Sequence, residues 1–272
     1  MKLKDKVVVV TGSTRGIGRA IAEECAWEGA KVVICSRTPA PVAETCRSLK
    51  EQGFDVSGTA ADVSVPGDLE RLLAHAVETW GKVDVWINNA GLSGGMRPLD
   101  ELREDEISQI VRVNLTGTLQ ACRLIIPYFI ELGGGSLINI GGRGWRGEAA
   151  PFLTVYASTK AAVASLTRSL AREYRESPVS IHSIVPGMVA TDFYKDIKAS
   201  PKLADSLQSL PFVLKAFGVP VGNVARFCVE IAAREPGKST GGSYSLLSRR
   251  QLARGICLMM YYRLTGKVKG RM

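Results

Sequence analysis

Short apolar runs alternate along the chain with segments whose apolar residues recur at helical spacing. The first run, Val7–Val10, ends in glycines, and residues 16–28 then carry apolar side chains every three or four positions. Because the runs are continuously apolar, both faces of each strand are expected to be buried, as in a parallel sheet covered by helices. The pattern predicts strands at 7–10, 31–35, 55–61, 83–87, 136–140, 179–185 and 242–247, with helices at 16–28, 41–53, 68–80, 101–113, 119–132, 154–175 and 223–234.

This alternation predicts an α/β fold, a single Rossmann-type, doubly wound parallel sheet with helices on both faces. No linker or internal repeat interrupts the alternation, so we expect one domain over residues 1–248. Residues 249–272 lie outside it and are predicted to form a basic, amphipathic C-terminal extension. A content of 46% apolar and 22% charged residues in 272 is typical of a globular protein and argues against a disordered chain.

The net charge of +9 is concentrated at the carboxyl end of the chain. Residues 236–272 contain eight basic residues and no acidic one, which leaves 27 bases and 26 acids in residues 1–235. A nearly neutral body argues against nucleic-acid binding, which requires a basic face. The tail interleaves bases with large apolar side chains. We expect it to lie as an amphipathic helix at a membrane surface, with packing on the domain or on a sister subunit, or a solvated extension, as the alternatives.

Signals for secretion, membrane spanning and metal binding are weak. The first residues lack the apolar run of a signal peptide, and no apolar run reaches the ~18–20 residues of a membrane span. We therefore expect a cytoplasmic protein, peripheral at a membrane where the tail binds one. The six cysteines form no CxxC pair, and His75 and His182 stand alone, so we expect reduced thiols and no protein-ligated metal.

A glycine-rich turn follows the first predicted strand and leads into the first predicted helix. Gly12 permits a tight turn, Gly16 lets the backbone approach a pyrophosphate, and Gly18 lets the helix pack closely on the strand. The helix N-terminus offers N–H groups and the positive end of its dipole. An ordinary strand-to-helix turn is the alternative to a dinucleotide site. The cofactor-binding candidates in this turn are Gly12, Ser13, Thr14, Arg15, Gly16, Ile17 and Gly18.

The end of the second predicted strand indicates which cofactor is used. An acidic residue there would hold the ribose 2′-hydroxyl of NADH, but this chain has Ser36 and Arg37 and no acid. Guanidinium groups match the geometry of phosphate, and Arg15 in the glycine turn is a second cation that can reach a 2′-phosphate. We therefore predict NADPH rather than NADH, with two solvated surface arginines as the alternative.

An ordered set of motifs resembles the short-chain dehydrogenase/reductase family over residues 5–247. The motifs are Thr11–Gly18, Asp62-Val63, Asn88-Asn89-Ala90-Gly91, Asn114, Tyr156-x-x-x-Lys160 and Pro186-Gly187 with Thr191. The resemblance implies an oxidoreductase that interconverts carbonyl and alcohol groups and assembles as a homo-oligomer, a dimer or tetramer, through its long helices. It also implies further cofactor contacts for Asp62, Val63, Asn89, Ala90, Gly91, Pro186, Gly187 and Thr191.

Tyr156 and Lys160 lie four residues apart on a predicted helix, so both face the same side. An ammonium near the phenol stabilises the phenolate and lowers the pKa of the tyrosine from ~10 toward neutrality, so the phenol can donate a proton to a carbonyl oxygen. NADPH must supply the hydride, because no side chain can. Tyr156 and Lys160 are therefore predicted to be catalytic. The resemblance adds ribose binding by Lys160 and a water-holding role for Asn114, which is otherwise a structural amide.

One position departs from the family's pattern. Most members carry a serine about 13 residues before the tyrosine to bind the substrate carbonyl, but Arg143 stands there, between Gly142 and Gly144. Three interpretations are open. Backbone N–H groups of the glycine turn hold the carbonyl, or the substrate is polarised differently, or catalysis is impaired and the chain is a non-catalytic NADP-binding regulator.

The segment from Gly142 to Lys160 resembles that of plant chlorophyll b reductases, which reduce the formyl group of a chlorin with NADPH. Shared features are the glycine-rich turn, Pro151 five residues before the tyrosine, and Tyr-x-Ser-Thr-Lys. Residues 188–216 are rich in apolar side chains, which is typical of a lid over an apolar ligand or of a lid packed on the domain. We expect a bulky lipophilic aldehyde or ketone as substrate, with 3-ketosphinganine, retinoid and steroid carbonyls as alternatives to the chlorin.

Overall fold

A computed structural model describes residues 1–191, 198–203 and 207–265. Within them, one parallel sheet has the strand order β3-β2-β1-β4-β5-β6-β7. The strands are β1 (Val7–Thr11), β2 (Lys31–Ser36), β3 (Val56–Ala60), β4 (Val85–Asn88), β5 (Gly135–Ile140), β6 (Val179–Val185) and β7 (Ser243–Ser245). The strand order reverses between β1 and β4, where doubly wound sheets bind their ligands. The predicted fold class is confirmed.

Helices cover both faces of this sheet. They are α1 (Gly16–Trp27), α2 (Pro39–Lys50), α3 (Pro66–Trp80), α4 (Glu104–Val111), α5 (Gly117–Glu131), α6 (Thr154–Glu173), α7 (Leu210–Phe217), α8 (Val221–Ala232) and α9 (Arg249–Leu264). Val8 and Val10 of β1 pack with α1, α2 and α8 in one buried cluster, whereas Val7 and Val9 pack with α3, α5 and α6 in the other. Burial of both faces explains why the strands are continuously apolar.

The two helices predicted at 101–113 and 119–132 form one continuous helical run. A five-residue π-helical turn, Arg112–Thr116, joins α4 directly to α5. Such turns are rare and are found mainly at functional sites, because they shift the register of the side chains that follow. This turn contains Asn114, and it brings the asparagine side chain into the buried interior.

The basic C-terminal segment continues as a helix that packs on the domain. Ser248 caps α9, since its hydroxyl accepts the N–H of Gln251 at 3.2 Å and the Gln251 side chain accepts the N–H of Ser248 at 2.9 Å. One face of α9 packs on α7. In the described ranges, no helix is long and apolar enough to cross a bilayer, and no group of three or more His, Cys, Asp or Glu is placed to hold a metal. The predicted lid lies partly outside these ranges, at 192–197 and 204–206, as does the tail after 265.

Candidate active site

The turns after β1 and β4 are tied together at the point where the strand order reverses. The Thr11 hydroxyl donates to the Ile87 carbonyl at 3.3 Å and accepts the N–H groups of Asn89 at 3.0 Å and Ala90 at 3.1 Å. The Asn89 amide nitrogen donates to the carbonyls of Thr11 at 2.8 Å and Gly12 at 3.1 Å. The sequence motif included Thr11 but predicted no role for it. The available indication was a single hydroxyl residue at the end of an apolar strand.

The glycines of the first turn allow these close approaches. Gly12 has φ of +64°, and a Cβ there would lie 2.9 Å from the Ala90 Cα, while a Cβ at Gly18 would overlap the Gly12 carbonyl oxygen and the Asn89 amide. Helix α1 begins at Gly16 without a side-chain cap, so its first N–H groups remain for an external anion. Thr191 faces Gly16, since a Cβ at Gly16 would be 3.7 Å from the Thr191 Cβ. This cradle fits a dinucleotide pyrophosphate.

Ser13 bonds within the protein, and its predicted contact with the cofactor stays a prediction. Its hydroxyl donates to the Val10 carbonyl at 2.7 Å and accepts the Cys35 N–H at 2.9 Å, and its own N–H donates to the Cys35 carbonyl at 2.9 Å. The residue is fully buried and links β1 to β2. Thr14 and Ile17, by contrast, are half-buried at the start of α1, beside the cradle.

Two cations lie at the carboxyl ends of neighbouring strands. Arg15 follows β1 and Arg37 follows β2, and the ends of these strands are paired at Thr11 and Cys35. Both arginine side chains are exposed, and neither forms an ion pair with another described residue. Ser36 lies beside them, and its hydroxyl donates to the Thr38 carbonyl at 3.3 Å. Charged groups without a protein partner are available to a phosphate ligand.

Asp62 and Val63 follow β3 at the same edge of the sheet. One Asp62 carboxylate oxygen accepts the N–H of Ser64 at 2.9 Å and its hydroxyl at 2.7 Å, and the Asp62 N–H donates to Asp68 at 2.8 Å. Val63 is buried, and a Cβ at Gly117 would lie 2.7 Å from the Val63 carbonyl oxygen. The two residues therefore shape the turn next to the cradle. Their contacts with adenine remain a prediction.

Helix α6 carries the predicted catalytic pair. Lys160 is only 5% exposed, and its ammonium donates to the Ile140 carbonyl at 2.8 Å and lies 5.8 Å from the centre of the Tyr156 ring. Burial lowers the pKa of Lys160 to about 8. A Cβ at Gly91 would be 3.8 Å from this ammonium and 3.4 Å from the Asn114 Oδ1. The structure thus brings Gly91, Asn114, Tyr156 and Lys160 together.

Asn114 acts as a positioning residue in the described structure. Its side-chain oxygen accepts the Leu92 N–H at 2.8 Å, and its nitrogen donates to the Leu92 carbonyl at 2.9 Å and to the Thr159 hydroxyl at 3.1 Å. The amide therefore joins the π turn to the loop after β4 and to α6. This agrees with the structural alternative for Asn114, and its predicted role in holding water remains a prediction.

Gly142, and not Arg143, faces the tyrosine hydroxyl. A Cβ at Gly142 would overlap the Tyr156 hydroxyl oxygen. Arg143 is exposed, and its guanidinium donates to the Ala149 carbonyl at 3.3 Å. The residue that faces the tyrosine hydroxyl therefore lies 14 positions before it, one position away from the residue that a count of 13 selects. Within the described residues, the N–H groups of Gly142 and Arg143 donate to no other backbone group.

Glu148, which sequence reasoning missed, holds this turn in place. Its two carboxylate oxygens accept the N–H of Gly144 at 2.8 Å and the N–H of Arg146 at 2.9 Å. The spacing Gly-x-Arg-x-Glu within the glycine-rich segment was the available signal. Because Glu148 fixes residues 144–146, it also orients the backbone beside Gly142.

Three loops meet near the start of α6. The N–H of Met96 donates to the Lys198 carbonyl at 2.8 Å, the N–H of Ser200 donates to the Met96 carbonyl at 3.0 Å, and the N–H of Arg97 donates to the Phe152 carbonyl at 2.9 Å. After β6, Gly187 has φ of +80° beside buried Pro186. The chain then leaves the edge of the sheet at residue 188 and returns at residue 218, where the two positions pair. These contacts were not predictable from local pattern.

A parallel sheet with a glycine-rich cradle at its switch point and a Tyr–Lys pair defines a nucleotide-binding protein of the Rossmann class. Within that class, the chain belongs to the short chain dehydrogenase family, whose sequence profile matches residues 6–202. It is 39% identical to a probable chlorophyll(ide) b reductase, NYC1, of Oryza sativa subsp. japonica, over 68% of this chain and 40% of that protein. The chain thus spans about two fifths of the length of that relative.

Solved structures of the same fold contain nicotinamide nucleotides. A variant of the actinorhodin polyketide ketoreductase with NADPH superposes with a TM-score of 0.77 at 27% identity, over 90% of this chain and 97% of that one. A 3-ketoacyl-(acyl-carrier-protein) reductase from Brucella melitensis with NADH has a TM-score of 0.79 at 25% identity, over 92% and 99%. The likeness supports a nicotinamide nucleotide at the cradle and leaves open which of the two is preferred.

Proposed function

We propose that this chain is an NADPH-dependent oxidoreductase that reduces the carbonyl group of a bulky lipophilic aldehyde or ketone. The observation that carries the proposal is the buried ammonium of Lys160, which the Ile140 carbonyl holds at 2.8 Å on the same helix as Tyr156. A buried cation at this distance from a phenol ring favours the phenolate, and so makes Tyr156 a competent proton donor.

Each residue has a defined task in this reaction. NADPH, when bound in the cradle, supplies the hydride. Tyr156 gives its proton to the substrate oxygen, and the ammonium of Lys160 stabilises the phenolate that remains. Asn114 keeps helix α6 against the loop after β4 through its bonds to Thr159 and Leu92. The N–H groups of Gly142 and Arg143 are proposed to take the place of the missing serine as donors to the carbonyl oxygen.

The activity is tested by NADPH oxidation with a panel of carbonyl substrates, in the wild type and in Tyr156→Phe. We expect the variant to turn over roughly 1,000-fold more slowly, since a positioned acid contributes about 10²–10⁴. Its NADPH affinity, measured separately by fluorescence, should change little. If both proteins bind NADPH and the wild type is no faster on any substrate, the chain is a non-catalytic NADP-binding regulator instead.

The preference for NADPH is supported by Arg15 and Arg37, whose exposed guanidiniums have no ion-pair partner among the described residues. In the double variant Arg15→Ala/Arg37→Ala, we expect the Kd for NADPH to rise roughly 100-fold, because two charge-assisted contacts to the 2′-phosphate are lost. The Kd for NADH should remain within about twofold of the wild type. The control Arg47→Ala removes an exposed cation from α2. An equal loss for both cofactors would contradict the proposed phosphate site.

The substrate proposal is supported by Leu210 and Leu214 of α7, half-buried apolar side chains that lie outside the cluster α7 forms with α9. The identity to the rice reductase makes the formyl group of a chlorophyll b-type chlorin the first candidate. Comparison of kcat/KM for chlorophyllide b, a 3-ketosphinganine, a retinal and a steroid ketone decides among them. A value for the chlorin below those for the other three would move the assignment to another lipophilic carbonyl.

Homo-oligomer formation is a further part of the proposal, in a cytoplasmic protein that is peripheral at a membrane. It is supported by large apolar side chains exposed on or beside α5, Leu119 at 42%, Ile130 at 41% and Leu132 at 41%. We expect sedimentation of the full chain to give a dimer or tetramer. A monomer at micromolar concentration would remove this part of the proposal without affecting the proposed chemistry.

A further inference from the structure

Helix α9 has two different apolar sides. On the inner side, Met259 and Tyr262 are buried against Phe212 and Phe217 of α7, and the Phe212 and Tyr262 rings meet edge to face at 5.0 Å. Gly255 lies on this side too, since a Cβ there would overlap the Phe217 ring. This contact accounts for Gly255, Met259 and Tyr262, and Leu258 packs against the same cluster, whereas the exposed apolar residues of the helix are not explained by it.

A second apolar stripe runs along the outer side. Leu252, Ile256, Met260 and Leu264 follow at intervals of four residues, and they are 44%, 48%, 61% and 88% exposed. Residues four apart lie on one side of a helix, so these four side chains form a slanted, continuous strip. Exposed leucines scattered singly are ordinary on protein surfaces, but a contiguous strip marks an interaction surface.

The charge around this strip indicates what covers it. Arg250 and Arg254 are exposed on α9, and Lys215 is exposed on α7. The sequence from residue 236 to its end contains no acidic residue, so no carboxylate of this segment neutralises these cations. A second copy of the chain seated on the strip about a two-fold axis would place arginines of one helix near arginines of the other. A surface that is anionic outside and apolar inside, such as a lipid bilayer, can contact both the basic residues and the apolar strip.

We propose that α9 binds the surface of an anionic lipid bilayer, with the strip Leu252–Leu264 inserted at the headgroup boundary and the arginines on the lipid phosphates. Amphipathic helices with basic residues and exposed apolar side chains lie in this interface without crossing the bilayer. The helix keeps its inner side on α7 while its outer side meets lipid, so membrane contact requires no unfolding of the described structure.

The position of α9 links this surface to the candidate active site. Its partner α7 belongs to the segment that leaves the sheet edge at Met188 and returns at Gly218, where the N–H of Val219 donates to the Met188 carbonyl at 2.7 Å. Lipid bound to the outer side of α9 would therefore lie one helix away from the segment that follows β6. Delivery of a lipophilic substrate from the bilayer rests on the proposed function, whereas the binding of lipid does not.

The test is flotation of the full chain with vesicles of phosphatidylcholine and phosphatidylserine, compared with vesicles of phosphatidylcholine alone. We expect the wild type to float with the mixed vesicles and to remain at the bottom with neutral ones. Arg250→Gln/Arg254→Gln should lower the partition coefficient about tenfold or more. Its matched control, Arg47→Gln/Lys50→Gln, removes the same charge from the exposed side of α2 and should float as the wild type does.

The apolar half of the proposal has its own pair of variants. Leu252→Gln/Met260→Gln should lose flotation, whereas Leu99→Gln/Val65→Gln, which alters residues 50% and 45% exposed elsewhere, should retain it. The proposal is overturned if the wild type does not float, or if the strip variants float normally. It is also overturned if the strip variants only split a dimer in sedimentation. A chain that floats but reduces no carbonyl supports lipid binding and refutes the proposed chemistry.

Discussion

The cofactor cradle and the α7–α9 pair are held together by different forces. In the cradle, the Thr11 hydroxyl and the Asn89 side-chain amide each bond to backbone groups of the other's turn, at 2.8–3.1 Å. Between α7 and α9, the buried contacts are apolar and aromatic, centred on Met259 and Tyr262. Directional bonds fix atoms to within fractions of an ångström, whereas apolar burial is non-directional. Chemistry on a bound cofactor needs the former, and attachment of a helix to a surface needs only the latter.

The site beside the cradle and the α7–α9 pair each contain a glycine at a close contact, which allows the same substitution to be compared in both. A Cβ at Gly142 would overlap the Tyr156 hydroxyl, and a Cβ at Gly255 would overlap the Phe217 ring. The first collision falls on the atom that is proposed to transfer a proton. The second falls on a side chain that only packs. Equal changes in volume should therefore have unequal consequences.

The largest effect is expected for Gly142→Ala. The added methyl group displaces either the Tyr156 hydroxyl or the turn, and a misplacement of about 1 Å can cost roughly 100-fold in rate. We expect kcat to fall by at least that factor while the Kd for NADPH changes less than about threefold. Steady-state kinetics with NADPH and the best carbonyl of the panel make the measurement.

Gly147→Ala is the control for this variant within the same turn. Gly147 has φ of +79°, so alanine there is strained, but its Cβ would meet no atom within 4 Å. Gly147→Ala is therefore expected to lose stability without a comparable loss of kcat. If Gly142→Ala turned over at the wild-type rate, the Tyr156 hydroxyl would not occupy the position beside Gly142 during the reaction.

The fold and the cradle were predictable from sequence because their causes are local. Continuous apolar runs such as Val7–Val10 specify buried parallel strands, and the glycines at 12 and 18 stand directly between the first strand and the first helix. The position facing Tyr156 lies one residue from the one that a fixed spacing selects, since it depends on the path of the turn that Glu148 holds. A count along the sequence does not report the path of a loop.

Contacts between distant segments were not predictable in the same way. Asn114 bonds to Leu92 and Thr159, and Met96 pairs with the segment at 198–200, so each contact depends on how three loops converge. The tail was predicted to be basic and amphipathic, but its periodicity did not show that one apolar side packs on α7. Which apolar side of α9 is buried and which is exposed depends on the position of α7.

An intermediate effect is expected in the pH dependence of the free energy of unfolding, through Lys160 on α6. Burial lowers the pKa of Lys160 to about 8 in the folded chain, whereas an unfolded lysine titrates near 10.4. Between these values the unfolded state binds more protons, so the free energy of unfolding contributed by Lys160 rises with pH. Below pH 8 the buried ammonium imposes its full cost, which is on the order of a few kcal/mol.

This contribution is isolated by comparing Tyr156→Phe with Tyr156→Phe/Lys160→Met in denaturant titrations between pH 7 and pH 10 without cofactor. Tyr156, whose titration depends on Lys160, is absent from both proteins, so the difference between the two unfolding free energies carries the lysine. We expect the stability advantage of the methionine variant to shrink as pH rises through about 8. A difference that stays constant over this range would mean that the ammonium is not buried as the structure has it.

The smallest effect on chemistry is expected for Gly255→Ala. Alanine favours a helix by about 1 kcal/mol over glycine, so α9 itself should remain helical. Its methyl group would nevertheless overlap the Phe217 ring and lie 2.9 Å from the Ala216 carbonyl, which pushes α9 away from α7. We expect faster hydrogen exchange in α9, earlier proteolysis near residue 248, and turnover of a water-soluble carbonyl within about twofold of the wild type.

The pair Gly142→Ala and Gly255→Ala then tests the division between the two regions directly. Both variants add one methyl group at a close contact, and only the first meets a reacting atom. If Gly255→Ala lowered the turnover of a soluble substrate as much as Gly142→Ala does, the α7–α9 pair would have to be part of the catalytic structure. If it changes only exchange and proteolysis, α9 is an attachment whose contact with α7 can be altered without altering the Tyr156–Lys160 pair.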